Sequence, residues 1–226
     1  MGLRAEPGTF AEGSMATRRS RRETTNVQTT RLETKRRVRF APLTAERWDD
    51  LERLFGANGA CGGCWCMWWR LTRAEFQAKK GGANRRAFRK LVASGTVPGI
   101  LAYQNGEPVG WCAVEPRQTY PRLATSRNLK PVDDTPVWSV TCFFVARPYR
   151  RQGLTVQLLE AAKRHARSRG ARLLEGYPIE PGAGNVPAAF AWTGFVPAFR
   201  KAGFVEALRR SSRQPILRCP LRPVPA

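Results

Sequence analysis

The sequence predicts an α+β fold in three layers: a mixed, mostly antiparallel central sheet with helices on both faces. Three observations carry that expectation. Two apolar runs, Ile100 to Gln104 and Pro108 to Val114, flank Asn105-Gly106, the dipeptide that supplies positive φ at both central positions of a type I′ hairpin. Val137 to Val145 is apolar on both faces, as a central strand requires. It leads through a helical pattern into a second strand at Arg172 to Tyr177, so this strand, helix and strand form a βαβ unit with parallel strands.

The remaining elements follow in chain order. Residues 1–37 are rich in Arg, Thr, Glu and Ser, with too few apolar side chains to offset the entropy of ordering, and read as a disordered basic tail ahead of a folded domain at 38–226. Val38 to Leu43 reads as a strand. Thr44 then caps a helix in which Trp48, Leu51, Leu54 and Phe55 recur at helical spacing until Gly56. Thr72-Arg73-Ala74-Glu75 is a capping box that opens a second helix, interrupted at Gly81-Gly82 and continuing through Phe88, Leu91 and Val92 to Gly95. In the βαβ unit, Leu158, Ala161, Ala162 and His165 continue an apolar face to Gly170. A long loop from Pro178 to about Gly194 precedes a short helix with Pro197 in its first turn, and Val205 and Ile216 to Cys219 give two closing strands.

Composition narrows the class. With 226 residues, 42% of them hydrophobic and 25% charged, the chain suits one globular core. No stretch approaches the ~20 apolar residues of a membrane span. The N-terminus lacks the apolar segment of a secretory signal, and its four acids argue against a transit peptide. The expectation is a soluble cytoplasmic protein without a membrane partner. The formal charge is +22, and all but seven of the 39 basic residues are arginine. Such a field favours anionic partners, whether a phosphate-rich cofactor, an acidic acceptor or nucleic acid.

Chemistry concentrates where the central strand turns into its helix, at Arg150-Arg151-Gln152-Gly153-Leu154-Thr155. Gly153 lets the backbone approach a ligand, and the unbonded N–H groups of a helix start point outward. The macrodipole and Arg147, Arg150 and Arg151 add positive charge, so the turn suits a diphosphate.

Val145 to Leu159 resembles the acyl-CoA signature of the GNAT superfamily of N-acyltransferases, Arg/Gln-x-x-Gly-x-Gly/Ala, with Arg150, Gly153 and Thr155 in those three places. Thr155 departs from the usual small residue. The order of elements across 38–219 is also similar, including Phe-x-x-x-Gly-Phe at Phe199, Gly203 and Phe204. The resemblance implies a sheet splayed between the strands at 137–145 and 172–177, with pantetheine in the gap pairing with main chain near Phe144 and Val145. It implies acetyl-CoA as co-substrate and transfer of its acetyl group to the primary amine of a small-molecule acceptor. A protein that keeps this fold but binds nucleic-acid phosphates is the less favoured alternative, since no basic-aromatic repeat supports sequence readout.

For the base that takes the amine proton, Glu175 is the first candidate, on the same strand face as Leu173 and Tyr177, and Glu115 the second. Many family members protonate the leaving thiolate with a tyrosine on the last short helix. Here that position is Phe199, so Tyr177 or solvent takes the role, and the commonly seen Asn seven residues earlier is Trp192. In Cys61-Gly-Gly-Cys-Trp-Cys-Met-Trp-Trp-Arg70 three thiols have metal-like spacing, but zinc needs a fourth donor and the one histidine, His165, sits on the apolar face of a distant helix. No metal is expected. The three thiols read as small residues packed under Trp65, Trp68 and Trp69, and in the family this region lines the acceptor pocket.

Overall fold

The computed structural model describes residues 38–182 and 191–222. The predicted tail at 1–37 and the middle of the 178–194 loop, at 183–190, lie outside the described residues. Val38–Ala226 forms one compact unit. Its seven strands are β1 (Val38–Pro42), β2 (Gly99–Gln104), β3 (Glu107–Pro116), β4 (Trp138–Val145), β5 (Leu173–Gly176), β6 (Val205–Leu208) and β7 (Ile216–Pro220). They lie in the order β1-β2-β3-β4-β5-β7-β6. Every pairing is antiparallel except β4 with β5. The helices are α1 (Trp48–Phe55), α2 (Arg73–Ala78), α3 (Gly82–Ala93), α4 (Pro121–Ala124), α5 (Leu154–Ser168) and α6 (Val196–Lys201).

Local sequence explains most boundaries. Asn105 and Gly106 both take positive φ, 53° and 83°, and turn β2 into β3. The capping box is complete: the Thr72 hydroxyl accepts from the Glu75 N–H, and Glu75 accepts from the Thr72 N–H. The short helix α4 was not anticipated, because its four residues are too few for a 3.6-residue period to show.

Strand alternation gives the sheet two cores. One face carries Ile100, Cys112, Val114, Val140, Phe143 and Leu174 against Leu154, Leu158 and Leu159 of α5 and Phe199 of α6. The other carries Leu101, Tyr103, Trp111 and Ala113 against Trp48, Leu51 and Phe55 of α1 and Phe88 of α3. A third cluster of Trp69, Tyr120, Leu123, Leu129, Tyr177 and Ile216 closes the β5 side.

Two irregularities in β4 shape the site. Its register against β3 jumps from Ala113–Cys142 to Val114–Val140, which leaves Thr141 as the extra residue of a bulge. In consequence Val140 and Phe143 both face α5, while Cys142 and Phe144 face the α1 side. Secondly, β4 and β5 pair only over Trp138–Val140 and Leu174–Gly176. Beyond Val140 the two strands part.

Candidate active site

At the head of α5, Gly153 is the N-cap with φ 77° and ψ 5°, a left-handed conformation that costs glycine little, and no side chain caps the helix. The N–H groups of Arg151 through Thr155 have no acceptor among the described residues. A Cβ at Gly153 would meet nothing within 4 Å, so the space over the turn is open. Two side chains hold the turn in shape: Arg150 Nε donates to the Val145 carbonyl at 2.9 Å, and Gln152 Nε2 to that of Pro148 at 2.7 Å. Leu154 is core, so only its N–H serves a ligand. Arg147 and Arg151 are exposed and have no carboxylate partner among the described residues. Backbone donors, helix dipole and unpaired guanidinium groups together suit a diphosphate such as that of a coenzyme A thioester.

From this turn the open edge of β4 leads toward the bulge. The Ala146 N–H donates to the Val109 carbonyl of the β3 segment, so alternation turns the N–H groups of Phe143 and Val145 to the opposite, parted edge. Phe143 uses its N–H on the Trp192 carbonyl, at 2.6 Å. The Val145 N–H is left on that edge. Phe144 points its main chain toward β3 and offers a partly exposed ring on the α1 side.

Where β4 and β5 still pair lies a buried polar cluster. Glu175 is fully buried; its Oε1 accepts from Arg117 Nη1 at 2.5 Å and from the Tyr177 hydroxyl at 2.8 Å, and its Oε2 from Arg218 Nε at 2.8 Å. The Tyr177 hydroxyl also meets Ser139 Oγ of β4 at 2.7 Å. Burial, with the neighbouring Glu175 charge, pushes the Tyr177 phenol well above its ordinary range, so it stays protonated at neutral pH. Arg218 reaches on to Asp133 at 2.6 Å, and this bond holds the Asp133 carboxyl far below its ordinary range. Glu115, also buried, is ion-paired with Arg70, whose guanidinium lies 4.9 Å from the Tyr120 ring centre. Sequence reading missed Arg117, Arg218, Ser139 and Arg70. Their carboxylate and hydroxyl partners lie 38 to 85 residues away, and no periodic pattern reports such pairings.

Tryptophans gather near the bulge of β4. Trp68, Trp69 and Trp192 form edge and tilted contacts at 5.6 to 6.4 Å between ring centres, and Trp69 Nε1 donates to the Thr141 carbonyl of the bulge at 3.3 Å. Arg122 covers Trp68 at 3.6 Å, with no carboxylate partner among the described residues. Phe199 is fully buried against Gly176, where a Cβ would lie 2.1 Å from its ring, and packs on Phe143 and Phe204. The place of the usual tyrosine is thus taken by core. The three clustered cysteines separate: Cys61 is exposed, Cys64 faces the Gly59 carbonyl and Cys66 accepts from Trp111 Nε1 at 2.9 Å. No group of three or more His, Cys, Asp or Glu among the described residues is placed to hold a metal ion. His165 packs edge-on against Trp138, and burial lowers its pKa.

A family model described as the acetyltransferase (GNAT) family matches residues 65–189. A search of the curated proteins found no match. Among solved structures, an N-acetyltransferase from Staphylococcus aureus Mu50 aligns at 14% identity over 82% of this chain and 99% of its own, with a TM-score of 0.48. PaiA N-acetyltransferase from Thermoplasma acidophilum, in complex with coenzyme A, aligns at 11% identity over 81% and 99%, TM-score 0.46. The ribosomal-protein-S18-alanine N-acetyltransferase from Escherichia coli aligns at 15% over 84% and 97%, TM-score 0.43.

Proposed function

This chain belongs to the GNAT family of acetyltransferases, and we propose that it moves an acetyl group from acetyl-CoA to the primary amine of a small molecule held in the tryptophan-lined cleft. The observation that carries the reading is the row of unbonded N–H groups from Arg151 to Thr155 around Gly153. They take the diphosphate of acetyl-CoA, with Arg150 and Gln152 holding the turn. The pantetheine arm runs along the parted edge of β4, where the Val145 N–H is available, and emerges on the face that carries Cys142 and Phe144. There Trp68, Trp69, Trp192 and Arg122 line the acceptor space.

Catalysis rests on holding amine and thioester in contact and on a place for the amine proton. Glu115, Glu175 and Tyr177 are the acid–base candidates. Of these the Tyr177 hydroxyl has the most direct link to β4, through Ser139, and Glu175 anchors it. Both Glu175 oxygens are already occupied, which favours anchoring over proton uptake. The catalytic domain is 38–226, with 1–37 as a basic tail. A cytoplasmic setting completes the reading, and no helix among the described residues is long and apolar enough to cross a membrane. An amine library incubated with acetyl-CoA, read by mass spectrometry, tests it: a single acetylated class is expected. Failure of coenzyme A to bind in calorimetry would sink it.

One observation favours the nucleic-acid alternative. At the far end of α5 a cavity of about 340 Å³ is lined by Lys163, Arg164, Arg167 and Arg222, with Glu160 as its one acid. Salt-dependent binding of RNA that vanishes in Arg164→Glu would support that reading.

A further inference from the structure

Arg70, Arg117 and Arg122 are all half-buried, and the first two are each paired with a buried carboxylate, Glu115 and Glu175. Arg122 has no such partner among the described residues, yet it is firmly placed. Its main-chain N–H donates to the Trp69 carbonyl at 3.3 Å and its Nη1 to the Trp68 carbonyl at 3.5 Å, while its guanidinium carbon lies 3.6 Å from the Trp68 ring centre. Stacking on an indole face fixes the guanidinium plane and leaves the edge of its N–H fork free. Apart from the bond to Trp68, that fork has no acceptor among the described residues.

The charge around it is one-sided. Burial, and then the like charge of Arg73 in the first turn of α2, lowers the Arg122 pKa, whereas Arg85 and Arg209 are raised by their bonds to Glu52 and Glu206. Glu75, the acid in the same turn as Arg73, is committed to the Thr72 cap and to Lys79. A guanidinium drawn out of water beside a second cation carries a cost that an incoming anion removes. The tryptophans link this charge to β4. Trp68 meets Trp69 and Trp192 at 6.4 and 6.3 Å between ring centres; Trp69 bonds the Thr141 carbonyl of the bulge, and the Trp192 carbonyl accepts from the Phe143 N–H. Trp68 and Trp192 are both half-buried, so each still offers apolar surface.

We propose that the acceptor is an acidic amine: a primary amine whose carboxylate is gripped by the free N–H fork of Arg122 and whose apolar body lies on Trp68 and Trp192. A guanidinium fork matches the two oxygens of a carboxylate, and Arg73 adds attraction for the same charge. The carboxylate binds and orients; it forms no covalent bond. Held at the Arg122 end, the molecule presents its amine toward β4. The inference deepens the acetyl-transfer reading and rests on it.

Matched acceptors separate charge from shape. The full chain and acetyl-CoA are given para-(aminomethyl)benzoate or phenylalanine, each against its own carboxamide. The acid should exceed its amide about ten- to hundredfold in kcat/KM, chiefly through KM, as a charge-assisted pair implies. In Arg122→Gln that ratio collapses toward one, and it also falls in Arg73→Glu, which sets a carboxylate beside Arg122. Loss of structure would lower acid and amide together and leave the ratio alone. Arg73 is exposed, so its variant serves if Arg122→Gln fails to fold. Amides accepted as well as acids, or a ratio unmoved in both variants, overturns the acidic acceptor while coenzyme A binding in calorimetry leaves acetyl transfer standing. Conversely, quenching of tryptophan fluorescence by para-(aminomethyl)benzoate, weakened in Arg73→Glu, in a chain that binds no coenzyme A would keep the acidic site and overturn acetyl transfer.

Discussion

At the head of α5 the polar groups are main-chain N–H groups of five consecutive residues, whereas beneath β5 they are the side chains of Arg117, Ser139, Glu175, Tyr177 and Arg218, drawn from four separate stretches of chain. The first region is open, unpaired and held by a local turn. The second is closed and saturated, each charge meeting an opposite one. A site made of backbone survives most side-chain replacements, because every residue but proline brings the same donor. A site made of buried ion pairs fails when any member is removed, since the partner stays behind as an uncompensated charge.

Five substitutions sharpen or break that contrast. Glu175→Ala should cost about 3–5 kcal/mol of stability in urea denaturation, because Arg117 and Arg218 lose their shared counter-charge. Arg151→Ala, in the open turn, should change stability by less than about 0.5 kcal/mol. Equal costs would abolish the distinction. Gly153→Glu comes next. In the unmodified chain acetyl-CoA at a hundred times its Kd should add about 2.7 kcal/mol of stability, and in the variant this gain should vanish with the fold retained. Retention of the full gain would move the diphosphate elsewhere.

Thr72→Ala removes the capping-box hydroxyl and should cost about 1 kcal/mol in the same denaturation series, without altering the acetyl-CoA gain. The smallest effect belongs to Asp133, at the outer end of the buried cluster. Its folded pKa lies below the ordinary 3.8, so the Arg218 bond contributes stability above that value and loses it as pH falls further. Asp133→Asn should therefore flatten the acid limb of stability below pH 3.8. An unchanged acid limb would show that Arg218 serves Glu175 alone.

How much was legible follows from the same physics. The hairpin at Asn105-Gly106, the capping box, the apolar face of α5 and the turn at Gly153 are each written within a few residues, and each appears where the pattern puts it. The family resemblance, drawn from the turn and the order of elements, likewise stands. Glu175 could be read as a strand carboxylate, but not as one gripped by two arginines, because Arg117 is 58 residues before it and Arg218 is 43 after it. The bulge at Thr141 escaped as well, since a one-residue register slip leaves no mark in an apolar run.

The sequence by itself determined the order of the strands along the chain, the parallel unit and the turn at Gly153, because φ preferences, capping and periodicity act over one to four residues. Only the tertiary structure decided what each polar side chain meets: that Phe199 is core, that Phe143 bonds Trp192, and that Cys66 sits against Trp111. Those outcomes depend on sheet register and on loops folding back across the sheet, where contact energies between distant segments set the choice and local sequence has no vote.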